Sequence, residues 1–399
     1  MKKTTMKKMA GAAATLAAMV MMAGCSTAAG NAKKGNTASG STMKIGVNME
    51  LSGAAAGYGE QEKQGIELAI AKINADGGVK VGNKKYKMKA IYRDNKTTTS
   101  GSSSVAAQLA NNDKVSAIVG PAVTNAATAS IPNVTKAAVA QVSPSATDPK
   151  YTLDKNGKVQ QYVFRSCFEN NFQGETAAHF VNNTIKAKKV AVIADNSTDY
   201  GTGLAKAFKN EFNGKVVSTQ YFQEGDKDFN AILTSIKNKG FDAIYAPGYY
   251  SEIGLIVKQA RQMGIKTPIV GSDGMADPKL AKIAGSKNAT DVYYTTPFST
   301  MTAATDPTVK TFMSDFKSKF HQDAPTFSAL AYDCVYMVKT AAEQQKSTNS
   351  ADIAKGLAKI KNMKGATGTM SVDAKHNPKK PIAVEQMTAG KVVKAYTVK

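Results

Sequence analysis

The sequence predicts an α/β protein built as two doubly wound parallel-sheet lobes joined by a multi-strand hinge. Three observations predict it. Short β-branched runs alternate with stretches of helical period, and the alternation runs through one series and restarts near residue 189. A tail of helices and two strands follows that is too small for a core of its own. Alternating β and α segments of this kind argue for parallel sheets covered by helices on both faces.

Taken in order, the first series opens with a strand at 43–49 and a helix at 59–75, whose Ile66, Leu68, Ala69, Ile70 and Ile73 make its apolar side. A strand at 85–93 and a helix at 100–111 come next, then a strand at 115–119 that stops at Gly120-Pro121. A helix at 125–135 and a strand at 138–142 close this series. The second runs strand 189–194, helix 201–212, strand 216–222, helix 228–239, strand 243–246, helix 251–263, strand 268–271 and helix 278–284. In the tail, helices are expected at 309–320, 328–345 and 351–360 and strands at 368–372 and 382–386. These return to complete the earlier lobes, so the chain crosses between them more than once. The expected division is 43–165 plus about 297–378 for the N-lobe and 166–296 plus about 379–399 for the C-lobe.

Ahead of the lobes, Lys2, Lys3, Lys7 and Lys8 precede residues 9–22, apolar apart from one Thr and short for a membrane span. The run ends in Met22-Ala23-Gly24-Cys25, which resembles a lipobox, with Met22 where Leu is usual. Residues 1–24 then read as a lipoprotein signal peptide and Cys25 as the lipid-modified first residue of the mature chain, anchored at the outer face of the cell membrane. Residues 25–42, rich in Ser, Thr, Ala, Gly and Asn, read as a flexible tether.

The formal charge is +22, or +18 without the four lysines of residues 1–24. A charge of this size raises nucleic-acid binding. Against it, Arg93, Arg165 and Arg261 are the only arginines, and the lysines are scattered rather than clustered. A solvated, Lys-rich surface is the expectation, with no nucleic-acid partner. Cys167 and Cys334 sit in apolar surroundings and read as buried thiols.

Ligands of open α/β sheets bind beyond the carboxyl ends of the strands. The residues there are Tyr58, Thr124, Ser145 with Thr147, Tyr200, Tyr249 and Asp273. Hydroxyls, tyrosines and one acid make a recognition set rather than a catalytic one, and they suit a zwitterionic amino acid. Thr124, expected as the N-cap of the helix at 125–135, and nearby N–H groups would take a carboxylate without a buried cation. Ser145 and Thr147 add donors and carbonyl acceptors. Asp273, from the other lobe, would pair with an ammonium, which is costly to bury alone. Tyr58, Tyr200 and Tyr249 present apolar ring faces with a polar tip, suited to a small side-chain pocket. Each residue also has a plainer use: Thr124 as a helix cap, Asp273 as a turn residue, the tyrosines as packing.

Together with Leu51-Ser52-Gly53, Tyr58-Gly59, Ile118-Val119-Gly120, Ser143-Pro144-Ser145-Ala146-Thr147, Phe164-Arg165, Phe172-Gln173-Gly174, Tyr200-Gly201-Thr202-Gly203 and Gly271-Ser272-Asp273-Gly274, the chain from about Met43 onward resembles the leucine/isoleucine/valine-binding proteins. These are periplasmic-binding-protein-like type I receptors of ABC importers. The resemblance implies capture of a branched-chain or other small aliphatic amino acid and delivery to ABC permease subunits, by a protein acting as a monomer. It places carboxylate-binding hydroxyls on Thr124 and Thr147, a backbone-contacting position on Ser145, the acidic partner of the ammonium on Asp273, and aromatic pocket positions on Tyr58, Tyr200 and Tyr249. The sequence departs from the family in Thr rather than Ser at 124, in Asp rather than the frequent Glu at 273, and in lacking a Cys near Asn95 or Val123, so the N-lobe disulfide of some members is absent.

Enzyme readings find little support. His179, His321 and His376 stand apart from any nucleophile motif, no G-x-S-x-G occurs, and Gly201-Thr202-Gly203 lacks the third glycine of a dinucleotide loop. No cofactor and no metal is expected. Two other readings stay open at this point: a ligand-sensing module, and a receptor for amides, urea or another small solute that needs no acid.

Overall fold

The computed structural model describes residues 35–302, 306–380 and 382–398; the expected signal peptide, Cys25 and the tether as far as residue 34 lie outside them. The first series folds as β1 (Thr42–Met49), α1 (Ala56–Ala75), β2 (Val79–Val81), β3 (Lys84–Asp94), α2 (Thr99–Asn111), β4 (Ala117–Val119), α3 (Thr124–Ala137), β5 (Gln141–Ser143), α4 (Pro149–Thr152) and β6 (Val163–Arg165). Its sheet has the order β2-β3-β1-β4-β5-β6. All neighbours in it are parallel except β2, which is an antiparallel hairpin partner of β3 at the sheet's edge. Lys84, Lys85, Lys87 and Lys89 of this hairpin are exposed, which discourages further strand pairing there.

The second series is α5 (Asn170–Phe180), a π-helical turn at Val181–Ile185, β7 (Lys189–Asp195), α6 (Asp199–Glu211), β8 (Lys215–Phe222), α7 (Asn230–Lys237), β9 (Ala243–Ala246), α8 (Tyr250–Gln262), β10 (Ile269–Gly271), a 3-10 turn at Asp273–Met275, α9 (Pro278–Ala284) and β11 (Val292–Thr296). The tail adds α10 (Pro307–Phe320), α11 (Thr326–Gln345), α12 (Ser350–Leu357), the small hairpin β12 (Met363–Gly365) and β13 (Gly368–Met370), and then β14 (Ala383–Thr388) and β15 (Lys391–Thr397). The second sheet is ordered β15-β14-β11-β10-β9-β7-β8. Its five series strands are parallel, and β14 and β15 join antiparallel through a two-residue turn with positive φ at Ala389 and Gly390.

Strands buried on both faces explain why the sheets were readable in the sequence. In β7, Val190, Val192 and Ala194 pack with Phe180, Phe208 and Tyr245, while Ala191 and Ile193 point to the opposite cluster with Leu233 and Ile253. In the first sheet Ile118 joins Leu109, Ile131 and Val134 beneath α2 and α3, and Ala117 and Val119 face the α1 and α11 side. Three connections run between the two sheets: after β6, after β11, and on the way into β14. The tail helices α10 and α11 pack on α1, against the first sheet, before the chain returns to the second. Near that return, Asp333 of α11 accepts from the N–H groups of Ala366 and Thr367 and pairs with the buried Lys380 at 3.2 Å.

Candidate functional site

Each site-bearing segment follows the carboxyl end of a parallel strand. In the first sheet these are the segments after β1, β4 and β5; in the second, those after β7, β9 and β10. They meet at one cleft lined by Tyr58, Ala122, Val123, Thr124, Ser145, Tyr200, Tyr249, Asp273, Gly274 and Phe327. Six of the seven expected residues therefore come together. Thr147 does not reach the lining; it is fully buried behind it, and its hydroxyl has no hydrogen-bond partner. No lysine, arginine, histidine or cysteine lines the cleft.

At the second-sheet end, Asp273 is 2% exposed and sits in the 3-10 turn after β10. Tyr200 donates to its Oδ1 at 2.6 Å, stands 2.7 Å from Ser272 Oγ, and accepts from the Gly274 N–H at 2.9 Å. The Asp273 N–H donates to Gln173 Oε1 at 2.9 Å, so α5 braces the turn from behind. Burial pushes the Asp273 carboxyl up to about 6, against the lowering effect of the Tyr200 and Gln173 contacts. A carboxylate held like this, with no cation nearby on the lining, is electrostatically prepared for an ammonium.

The aromatic wall joins the two halves. Tyr200 and Tyr249 stack with ring centroids 5.1 Å apart, and Tyr58 meets Tyr249 edge-on at 5.8 Å and Phe327 at 4.7 Å. Tyr58, on α1, donates across the cleft to the Gly274 carbonyl at 2.5 Å. Beside it the Gly57 N–H donates to Tyr250 Oη at 3.1 Å, and Gln61 donates to Asp277 at 2.9 Å. Gly57 is needed for this approach, since a Cβ there would stand 2.2 Å from Asp277 Oδ2. The interior open to the centre of a water-sized sphere is about 10 Å³, room for about one water. A molecule of amino-acid size is admitted only if the segments of the two sheets part.

At the first-sheet end the structure corrects one expectation. Thr124 is not the N-cap of α3: Val123 holds that position, in extended conformation with no side-chain cap, and Thr124 is the first helical residue. Its hydroxyl, buried, makes no hydrogen bond at all. The cap motif points to Thr because a valine offers no acceptor, yet the chain enters the helix one residue earlier. Two of the N–H groups just ahead of α3 are already taken. Those of Ala122 and Val123 donate to the Glu50 carboxylate at 2.9 and 3.3 Å. Glu50 is fully buried, and burial raises its carboxyl to about 7. Ser145 Oγ lies 2.7 Å from Glu62 Oε1 and 3.1 Å from the Ala122 carbonyl. Sequence reasoning missed Glu50, Glu62, Gln173 and Phe327. Acids and amides default to the surface, and Phe327 reaches the cleft because α11 starts two residues earlier than its apolar period suggested.

Outside the cleft, His376 stacks on Phe164 at 4.0 Å with Nδ1 2.9 Å from the Val163 carbonyl, and Cys167 and Cys334 are free and buried. Among the described residues no cluster of His, Cys, Asp or Glu could hold a metal ion, and no helix is long and apolar enough to cross a membrane.

The family model described as periplasmic binding protein matches residues 42–391. The Leu/Ile/Val-binding protein homolog 3 of Brucella melitensis is 33% identical over 333 residues, 82% of this chain and 86% of that protein. The Leu/Ile/Val-binding protein of Escherichia coli K12 is 29% identical over 358 residues, 89% of this chain and 92% of that protein. Among solved structures, the branched-chain amino acid transporter substrate binding protein LivJ of Streptococcus pneumoniae, in complex with isoleucine, matches with a TM-score of 0.84. It is 42% identical, and the match covers 90% of this chain and 99% of that one. With the fold, the strand-end cleft and these relatives in agreement, the chain belongs to the periplasmic binding protein family.

Proposed function

We propose that the chain is the substrate-binding protein of an ABC importer, capturing a branched-chain or other small aliphatic amino acid in this cleft and delivering it to a membrane permease. One observation carries the ligand chemistry: a lone buried carboxylate, Asp273, and an unpartnered buried hydroxyl, Thr124, line opposite halves of a cleft otherwise made of aromatic and small residues. In this reading Asp273 takes the ammonium, and the Thr124 hydroxyl with the Ser145 backbone takes the carboxylate, the Thr147 hydroxyl standing behind them. Tyr58, Tyr200, Tyr249 and Phe327 surround the aliphatic side chain. The names of the relatives support the same class of ligand.

The lobes would divide at 43–165 plus about 297–378 and 166–296 plus about 379–399, hinging on the three connections. Ligand bridging both halves favours the closed form only by its difference in affinity between closed and open states. The protein would act as a monomer, perform no chemistry on its ligand, and remain outside the cytoplasm on a lipid at Cys25. A thermal-shift screen against amino acids, amides, urea and sugars tests the ligand class. Leucine, isoleucine or valine in excess raises Tm; a rise with an amide or urea alone would overturn the assignment.

A further inference from the structure

We infer that Glu62 is a positioning residue of the cleft: its carboxyl carries a proton, donates it in a hydrogen bond to Ser145 Oγ, and so frees the Ser145 hydroxyl proton for the Ala122 carbonyl, tying two lining segments to α1. The inference deepens the amino-acid reading given above and rests on it.

The geometry poses a proton-counting problem. Ser145 has one hydroxyl proton but two oxygen neighbours, Glu62 Oε1 at 2.7 Å and the Ala122 carbonyl at 3.1 Å. An ionised carboxylate and a carbonyl both accept only, so one hydroxyl cannot satisfy both. A protonated Glu62 reverses the first bond and completes a chain: Glu62 O–H to Ser145 Oγ, then Ser145 O–H to Ala122 O. The chain joins α1 to the segment after β5 and the segment after β4. Those two segments carry Ser145, Thr147 and Thr124.

The surroundings favour the proton on Glu62 rather than on its neighbour. Glu62 is fully buried, its Oε2 has no partner, and no ion pair reaches it among the described residues. The titratable groups facing it are Glu50, at the end of β1, and Cys334 of α11. Glu50 accepts two backbone N–H bonds and is the carboxyl built to be an anion. Burial first, and then the charge of Glu50, hold the Glu62 carboxyl well above the usual carboxylate range.

The test uses E62Q, whose amide can donate to Ser145, and E62M, which fills the space without a donor. At about pH 8.5, above the Glu50 value of about 7, the infrared difference between wild type and E62Q contains a protonated-carboxyl C=O band. By calorimetry with leucine, E62Q stays within about threefold of wild type and E62M binds about tenfold or more weakly, the size of one hydrogen bond left unmade. The absence of that band overturns the inference, as does E62Q binding as weakly as E62M or E62M binding as tightly as wild type. The infrared band and the E62Q affinity decide the matter even if E62M fails to fold. If wild type binds no branched-chain amino acid, the reading beneath the inference falls instead, and the infrared band still reports the proton.

Discussion

Replacing Asp273 by Asn separates the two things this carboxylate does, because they have opposite signs. In the ligand-free protein the buried anion costs stability. Its folded value of about 6 lies above the unfolded 3.8, so the fold binds the proton more tightly and loses stability as pH rises between the two. Above pH 6 that penalty is about 3 kcal/mol as an upper figure, at 1.36 kcal/mol per unit. Asn is nearly isosteric, keeps an acceptor for Tyr200, and carries no charge. With an amino acid bound the sign reverses. The ammonium loses its anionic partner, a loss of about 2–4 kcal/mol, or about 30- to 1000-fold in Kd. Calorimetric titration with leucine at pH 7.5, with ligand-free thermal unfolding alongside, reads both effects. The expected result is a ligand-free Tm unchanged or raised together with the loss of affinity. An affinity within threefold of wild type would refute the ammonium assignment, and a fall in Tm that tracks the fall in affinity would make Asp273 a structural residue.

Further consequences follow from the same geometry. Leucine affinity should weaken as pH drops through about 6, by at most about tenfold per unit, because binding needs the Asp273 anion that protons compete for; D273N should flatten this limb in calorimetry run across the range. Thr124→Val removes a buried hydroxyl that has no partner, so the ligand-free Tm should hold or rise while leucine binding weakens by about 1–3 kcal/mol. A Tm loss without an affinity loss would show that the hydroxyl serves the fold. Gly57→Ala places a Cβ 2.2 Å from Asp277 Oδ2 and 2.8 Å from Tyr250 Oη, across the closed cleft. It should weaken binding by about tenfold with the fold intact by circular dichroism, and unchanged affinity would mean that the closed contact between α1 and Asp277 is not needed for capture.

Much of the architecture was legible because central parallel strands buried on both faces leave continuous apolar runs, as in 115–119 and 189–194. What escaped is specific. The strands β6 and β11 are short; β6 ends in a fully buried arginine, Arg165, and β11 is Tyr- and Thr-rich, so neither reads as a core strand. Helix α5 buries Asn170, Gln173 and Gly174, which blurs its period. The edge hairpins β2–β3 and β14–β15 run antiparallel, a pairing that short polar turns allow and that the parallel reading did not include. The site was legible in residue type and position, since strand ends in a doubly wound sheet converge. It was less so in detail. Thr124, one residue inside its helix, and Glu50, holding the N–H groups of Ala122 and Val123, are choices of backbone register and burial that composition does not encode. Glu62, by its place on α1, reads as a solvated charge, and only packing against Ser145 reveals it as a buried acid.

A crystal structure of the protein grown with leucine tests amino-acid capture in this cleft. Leucine is expected between the two sheets, its ammonium within hydrogen-bonding distance of Asp273, its carboxylate at the Thr124 hydroxyl, and its side chain against Tyr58 and Tyr249. Leucine bound with its carboxylate turned toward Asp273, or bound outside this cleft, would contradict it.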